Sequence, residues 1–299
     1  MKIAVTGASG LIGSALLPAL RAAGHDVLTL VRRDPARPDE VRWDPAEGLL
    51  EASALRGVDA AVHLAGAGVA DKRWTPAYKE TILRSRVDGT RLLADRLAAL
   101  EPRPRVLLSG SAVGWYGDTG DTEVDESAPA GDGFLADVVR QWEAATAPAE
   151  AAGIRVCHLR TGIVLSATGG ALGRQTLLYR LGLGGPLGSG RQYQPWITLD
   201  DEVAAIVFLL TAEEISGAVN LTAPQPVPQR ELAKALGSAL HRPAVLPAPG
   251  FALRLVFPGF AAEGLLVGQR ALPRVLEKAG FTFASRDIAA ALKAVLTDP

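Results

Sequence analysis

Three glycines near the start of the chain, Gly7, Gly10 and Gly13, have the spacing of a phosphate-binding loop. They follow an apolar, strand-like run at 3–5 and precede a segment with helical periodicity that starts at Ser14. In this context the first glycine makes a tight turn, the second lets the backbone approach a pyrophosphate, and the third lets the helix pack closely on the sheet. The N–H groups at the start of the helix can then bind the phosphates. The spacing predicts a dinucleotide site; the alternative is a purely structural glycine turn.

Two arginines, Arg32 and Arg33, follow the second predicted strand, which covers 27–31. An NAD-binding chain carries an Asp or Glu at about this distance beyond the glycines, where it binds the ribose hydroxyls. Here the first acid is Asp34, and guanidinium groups suit a 2′-phosphate. The pair favours NADP(H) over NAD; the alternative is a solvated pair of charges at a strand end.

Ser111 and Tyr116 lie in the segment SGSAVGWYG, which follows a predicted strand at 106–109. This segment resembles the S-S-x-x-V-Y-G segment of sugar-nucleotide epimerases, with one residue inserted. The resemblance implies that Ser111 is the catalytic hydroxyl that bonds a substrate carbonyl or hydroxyl. Tyr116 or a water would then supply the proton; the alternative for Tyr116 is a packing role in the loop.

The usual proton relay of short-chain dehydrogenase/reductases is missing from the next helix. Active members of that superfamily carry Tyr-x-x-x-Lys there, with Tyr as the proton donor and Lys lowering its pKa. Against that motif, Phe134 takes the place of the Tyr and Val138 the place of the Lys. Neither side chain can ionise, so another group must move the proton if the chain is an enzyme.

The elements that position these residues alternate between strand and helix patterns. Such alternation predicts an α/β fold with a Rossmann-type, doubly wound parallel sheet. We expect an NADP-binding Rossmann domain at 1–165, completed by about 195–222. A small, mostly helical C-terminal substrate lobe would comprise 166–194 and 223–299.

Two local features are predicted within the later part of the chain. The glycine-rich stretch at 169–190 indicates mobile loops over the cleft. Asp200 precedes an apolar run and is predicted to be the N-cap of a helix at 201–212.

Composition limits the classes of function. With 299 residues, 48% of them hydrophobic and 21% charged, the chain can form a well-buried core. A net charge of -1 disfavours binding to nucleic acid or an anionic membrane. Its one cysteine, Cys157, excludes an internal disulfide, and its few histidines predict no metal site. We expect no signal peptide and no membrane span, hence a cytoplasmic protein.

Motifs along the whole chain resemble the YfcH-like "epimerase family" of atypical short-chain dehydrogenase/reductases. The shared segments are TGASGLIG, VRR, HLAG, SRVDGT, SGSAVGWYGD, LRTGIVLS, LGLGGPLGSGRQYQPWI and GQRALP…KAGF. The resemblance implies an NADP(H)-binding Rossmann domain and a small helical lobe in which 248–297 is the family's C-terminal domain of unknown function. It names neither a substrate nor a reaction.

The resemblance also implies which residues contact the cofactor. They are the glycine-loop residues Gly7, Ser9, Gly10, Leu11, Ile12 and Gly13, then Arg32, Arg33, Leu64, Ala65, Gly66, Glu80, Arg86, Ser109, Ile163 and Val164. Arg86 stands where extended members have a bracing Asn, and a salt-bridged helix residue is the alternative for it. By analogy with those members, a homodimer would form through helices at roughly 75–100 and 134–152.

Two functions remain open at this point. The first is an NADP(H)-dependent oxidoreductase or epimerase that acts on a small molecule without the usual Tyr/Lys pair. The second is a catalytically silent NADP(H)-sensing regulator, for which the missing relay is the motivation.

Overall fold

A seven-stranded parallel sheet forms the centre of the protein. The structure, a computed structural model, describes residues 1–297, so the last two positions of the predicted substrate lobe lie outside the described residues. The strands, in chain order, are β1 (Lys2–Thr6), β2 (Asp26–Val31), β3 (Glu40–Arg42), β4 (Ala60–His63), β5 (Val106–Ala112), β6 (Glu123–Val124), β7 (Arg155–Thr161), β8 (Ile163–Leu165), β9 (Tyr193–Gln194), β10 (Trp196–Thr198), β11 (Gly217–Leu221), β12 (Val227–Pro228) and β13 (Arg270–Ala271). In the main sheet they are ordered β11-β7-β5-β4-β1-β2-β3.

Helices cover both faces of this sheet and form most of the smaller lobe. They are α1 (Leu11–Ala22), α2 (Pro76–Ala98), α3 (Phe134–Ala144), α4 (Ala147–Ala151), α5 (Gly170–Arg180), α6 (Leu199–Thr211), α7 (Gln229–Ala239), α8 (Gly250–Val256), α9 (Arg274–Lys278) and α10 (Ile288–Thr297). None of the helices within residues 1–297 combines the length and the apolar character that a membrane crossing needs. The predicted fold class, a doubly wound Rossmann-type sheet with a small helical lobe, is confirmed.

The order of the strands places a crevice beside the glycine motif. β1 pairs in parallel with β2 on one side and with β4 on the other, so successive strands are added in one direction as far as β3 and in the opposite direction from β4 onward. Such a switch point opens a crevice at the carboxyl ends of the strands. Ile3 and Val5 are completely buried there, as the apolar run of a central parallel strand requires.

Three apolar cores hold the layers together. On one face of the sheet, Leu16 of α1 and Ile206 of α6 belong to one fully buried cluster. On the other face, Leu93 of α2 packs in a second cluster. The smaller lobe has its own core, which includes Trp196 and Leu292. The first core also takes in Leu276 and Phe283 of the C-terminal segment, which therefore packs on the sheet as well.

The C-terminal segment returns to the Rossmann domain. β13 pairs with β6, and Asn220 of β11 donates from its side-chain amide to the Leu272 carbonyl at 2.9 Å. Trp74 packs edge-on against Phe134, with ring centroids 5.1 Å apart, and also contacts Phe260 at 5.6 Å. These contacts hold the segment against the start of α3.

Three local predictions differ from the structure. Thr198, not Asp200, is the N-cap of α6, because its hydroxyl accepts the N–H of Asp201. The predicted loops at 169–190 are wrong for α5, where Leu172, Thr176 and Tyr179 are buried along one side of a helix. The helix predicted at 134–152 is divided into α3 and α4.

Candidate functional site

The glycine loop is compact enough that side chains are excluded at two of its positions. Gly7 has a φ of +67°, and a Cβ on it would lie 2.7 Å from the carbonyl carbon of Leu64. A Cβ on Gly13 would lie 2.2 Å from the carbonyl oxygen of Gly7. These distances are too short for any side chain, so both glycines are required by the turn and the helix packing.

The start of α1 faces outward and can receive an anion. Gly10 is its N-cap and supplies no side chain to the first turn, while Ser9 and Gly10 are both exposed. The first N–H groups of a helix, here those of Leu11 and Ile12, lack partners within it. The first turn contains no acidic residue that would repel phosphate. This cradle fits the pyrophosphate of a dinucleotide.

A strip of backbone from β4 lies beside this cradle. The hydroxyl of Thr6 accepts the N–H groups of Leu64 at 3.1 Å and Ala65 at 3.2 Å, and it contacts Nδ1 of His63 at 2.8 Å. The strip is therefore held firmly at the edge of the crevice. Gly66 follows it and is exposed.

The two arginines after β2 differ in whether their guanidinium groups are ion-paired. Arg33 forms a bidentate ion pair with Glu40, at 2.6 and 2.7 Å, whose carboxylate is almost completely covered. Hydrogen bonds from Arg33 lower the pKa of Glu40 to about 2, with further contributions from Ala36 and Arg37. By contrast, the Arg32 side chain is exposed and makes no hydrogen bond or ion pair with any described residue. Arg32 is thus the guanidinium that is open to a ligand.

Sequence reasoning missed Glu40, the buried acid at the start of β3 that holds Arg33. Because Arg33 and Arg37 neutralise it, its charge does not oppose a 2′-phosphate beside Arg32. The available signal was an acid seven residues after Arg33, at the start of the next strand. Because β3 lies beside β2 in the sheet, that acid can reach the arginines at the end of β2.

Arg86 is a largely buried cation at the inner end of the crevice. Its guanidinium donates to the carbonyls of Ala67 at 2.9 Å and Ile82 at 3.1 Å, and lies 5.0 Å from the ring centre of Trp142. Burial lowers its pKa to about 10. Both of these acceptors are neutral carbonyls, so its charge is compensated by dipoles and by the aromatic ring. Such a cation suits a polar or anionic ligand.

Four other predicted contacts differ in accessibility. Glu80 is exposed and forms an ion pair with Arg84 at 2.8 Å. Ser109 is completely buried, and its hydroxyl points to the Gly110 carbonyl at 3.4 Å. Ile163 and Val164 lie in β8, where Ile163 also forms part of a pocket wall.

This pocket lies between the Rossmann domain and the smaller lobe and has a volume of about 280 Å³. Its described lining is mainly apolar, with four glutamines and two charged side chains. The lining residues are Val69, Arg86, Ala112, Val113, Gly114, Leu135, Val138, Val139, Trp142, Gly162, Ile163, Leu165, Ala171, Leu172, Gln175, Leu187, Gln194, Pro195, Gln229, Leu232, Phe260, Glu263, Gly264, Leu265, Val267 and Gln269. An apolar pocket with a few polar groups is the usual form of a small-molecule site.

Both predicted catalytic residues belong to a buried polar network. Ser111 Oγ donates to Glu143 at 2.6 Å, and Arg160 forms a bidentate pair with the same carboxylate at 2.9 and 3.0 Å. Arg160 also donates to the Tyr116 hydroxyl at 3.1 Å, and that hydroxyl donates to Asn220 at 2.7 Å. Ser111 is 5% exposed and Tyr116 4%.

This arrangement encloses both residues, and the catalytic roles of Ser111 and Tyr116 stay predictions. Neither residue is among the described residues that line the pocket. Burial raises the pKa of Tyr116, whereas a relay tyrosine needs a lowered one. The packing role left open for Tyr116 therefore agrees better with its position, because its ring and hydroxyl are both enclosed.

A carboxylate from the C-terminal segment occupies the start of α3, where the relay tyrosine would stand. Glu263 Oε2 accepts the N–H of Leu135 at 2.9 Å and lies in the pocket wall. Among the described lining residues it is the one acid. Sequence reasoning missed it because 128 residues separate it from Leu135.

A second buried acid, Glu202, lies in the first turn of α6. The Thr161 hydroxyl donates to its Oε1 at 2.9 Å, while Oε2 is buried with no hydrogen-bond partner among the described residues. Burial raises its pKa to about 8, against the opposing effect of Thr161. The folded protein therefore keeps this carboxyl protonated at pH values where the unfolded chain releases the proton.

Glu202 should make the protein less stable as pH rises. Between its unfolded pKa of 4.5 and its folded pKa of about 8, the free energy of unfolding should fall by about 1 kcal/mol per pH unit. We expect Glu202→Gln to lack this contribution, so the variant should gain stability relative to the parent between about pH 5 and pH 8. Urea unfolding at both pH values measures the difference. If the difference in the free energy of unfolding between the two proteins did not change with pH, this assignment would be contradicted.

Fold and crevice together define a Rossmann-type nucleotide-binding protein of the short-chain dehydrogenase/reductase class. A sequence model of the NAD dependent epimerase/dehydratase family matches residues 3–221, and a model of a domain of unknown function matches 248–295. The chain therefore belongs to the NAD dependent epimerase/dehydratase family, and the predicted epimerase-family membership is confirmed.

Relatives match over the whole chain. An epimerase family protein of Mycobacterium bovis, Mb2239, is 48% identical over 297 residues, which cover 99% of this chain and 98% of that protein. The structure of human epimerase family protein SDR39U1 (isoform 2) with NADPH has a TM-score of 0.90 at 34% identity, with all of both chains covered. A nucleoside-diphosphate sugar epimerase from Corynebacterium glutamicum has a TM-score of 0.83 at 37% identity, covering 99% of this chain and 58% of that one.

Proposed function

We propose that the protein binds NADP(H) and is an oxidoreductase or epimerase that acts on a small molecule in the pocket beside Glu263. The observation that carries the cofactor assignment is the free guanidinium of Arg32, with its neighbouring acid Glu40 neutralised by Arg33. The NADPH in the human relative's structure supports the same assignment. The glycine cradle would hold the pyrophosphate, and Ile163 would lie beside the nicotinamide.

The arginines allow a matched test of the 2′-phosphate site. We expect Arg32→Ala to weaken NADPH binding by roughly 10- to 100-fold, since a hydrogen bond to a charged group contributes about 1.5–3 kcal/mol. NADH binding should change little, because NADH lacks that phosphate. Calorimetric titration of nucleotide-free protein measures both.

Arg33→Ala is the comparison variant for this test. It should impair NADPH and NADH binding alike, since it removes the partner that fixes Glu40 and the loop around it. Equal losses for both dinucleotides in Arg32→Ala would contradict the 2′-phosphate assignment.

Glu263 is the group that we assign to proton transfer. The bound nicotinamide supplies hydride donation or acceptance at the substrate carbon. At the substrate oxygen, the Glu263 carboxylate takes the hydroxyl proton in the oxidation direction and returns it in the reduction. Its Oε2 is fixed by the Leu135 N–H, which leaves Oε1 to face the substrate. A carboxylate also suits this place because the N-terminus of α3 carries the positive end of the helix dipole.

Replacing Glu263 with glutamine should separate proton transfer from structure. Gln can still accept the Leu135 N–H, so NADPH affinity and the free energy of unfolding should be nearly unchanged. Turnover, followed as NADPH consumption over a panel of carbonyl compounds, should fall by about 100-fold or more. Glu277→Gln, on the exposed side of α9, is the control. Unchanged turnover in Glu263→Gln would remove Glu263 from the mechanism.

The missing Tyr/Lys pair keeps a second candidate, an NADP(H)-sensing protein without turnover. It predicts that NADPH binds tightly while no compound in the panel accelerates its oxidation. Glu263, the one acid among the described lining residues, borders a mainly apolar cavity, and this favours an enzyme over a sensor.

A further inference from the structure

The walls of the pocket indicate what kind of molecule it accepts. Resting on the proposed function, we infer that the substrate is a compact, uncharged and mostly apolar alcohol or carbonyl compound, not a nucleoside-diphosphate sugar. Three observations carry this inference: the chemistry of the walls, the room inside them and the charges that face the cavity.

Apolar side chains come from most of the elements around the cavity. Val113 directly follows β5, Val138 and Leu135 lie on α3, Leu172 lies on α5, and Leu232 lies on α7. A sugar ring or a ribose presents hydroxyl groups on all sides, and each would lose its hydrogen bonds to water against such walls. An apolar ring or chain gains from the same burial.

The cavity is also small. Its volume of about 280 Å³ lies at the lower limit of the range of roughly 300–1,000 Å³ that is typical for drug-sized ligands. Part of it adjoins Ile163, where the nicotinamide would bind, which leaves less for the substrate. Phe260 and Leu265 of the C-terminal segment close the side towards α3, and the packing of Trp74 between Phe134 and Phe260 holds them there.

The charges around the cavity disfavour an anion. A nucleoside diphosphate carries a pyrophosphate that proteins bind with Arg or Lys clusters. Among the described lining residues Arg86 is the one base, and it is held by the Ala67 carbonyl at the cofactor end. The Glu263 carboxylate also lines the cavity and would repel a negative group. Gln175 and Gln194 can supply neutral hydrogen bonds instead.

A dead-end ternary complex tests the inference without relying on turnover. The protein is first saturated with NADPH, whose binding is measured separately and tests the proposed function. Benzyl alcohol, which cannot react with NADPH, is then titrated calorimetrically beside benzoate, its anionic counterpart, and UDP-glucose. We expect benzyl alcohol to bind, benzoate to bind about 10-fold more weakly or worse, and UDP-glucose not to bind at the same concentrations.

One variant, Glu263→Gln, and the measured binding of each compound decide whether the inference holds. Glu263→Gln should reduce the discrimination against benzoate, because the repelling charge is gone. Binding of UDP-glucose to the NADPH complex, or failure of benzyl alcohol to bind it, would overturn the inference and leave NADP(H) binding intact. Failure of NADPH itself to bind would instead overturn the proposed function.

Discussion

Glu143→Ala is expected to lower the free energy of unfolding by about 3–5 kcal/mol, which is the usual cost of leaving one partner of a buried ion pair alone. Arg160 is 3% exposed, and Glu143 accepts both its Nε and one of its terminal nitrogens. Without that carboxylate the guanidinium remains buried beside the Tyr116 hydroxyl, the Glu126 carbonyl and the Trp115 ring, none of which carries a negative charge. Ser111 also loses its acceptor.

Urea unfolding of the parent and of two variants measures this effect. Glu150→Ala is the matched control, because Glu150 is half exposed and its contact with His158 is 3.7 Å long. The free energy of unfolding of this control variant should fall by no more than about 1 kcal/mol. If Glu143→Ala lowered the free energy of unfolding no more than Glu150→Ala does, the buried network would not be an important source of stability.

Gly13→Ala is expected to weaken NADPH binding by about 100-fold or more, equivalent to losing one or two hydrogen bonds to the charged phosphates. The added methyl group would lie 2.2 Å from the Gly7 carbonyl oxygen. Either the glycine turn or the start of α1 must move, and the N–H groups of Leu11 and Ile12 then leave the phosphate position. Overpacking should also cost about 1–3 kcal/mol of stability.

The comparison for Gly13 is another helical glycine, Gly173 of α5. A Cβ there would meet no described atom closer than 3.9 Å, so Gly173→Ala should fold normally and keep its NADPH affinity. Calorimetric titration with NADPH and thermal unfolding measure both proteins. Full affinity in Gly13→Ala would contradict the placement of the pyrophosphate on this loop.

The parts of the site that the sequence predicted are those built from consecutive residues. The turn at Gly7, the start of α1 and Arg32 after β2 all lie within two strands and one helix, so their spacing determines their geometry. The parallel sheet follows similarly from the alternation of apolar strands and helices.

The parts that it did not predict depend on contacts between distant segments. Glu263 reaches α3 across 128 residues, and Tyr116 reaches Asn220 across 104. No local sequence pattern predicts that Tyr116, which lies in a family motif, turns inward towards Asn220 and Arg160. Likewise, the glycines of α5 indicated loops, although the buried contacts of Leu172 and Tyr179 stabilise a helix. The predicted domain limits and the homodimer stay predictions.

A crystal structure of the NADPH complex would test the central claim most directly. We predict the pyrophosphate on the N–H groups of Leu11 and Ile12, the 2′-phosphate against the Arg32 guanidinium, and the nicotinamide between Ile163 and the Glu263 carboxylate. A 2′-phosphate that points into solvent away from Arg32, or a nicotinamide remote from Glu263, would contradict the account.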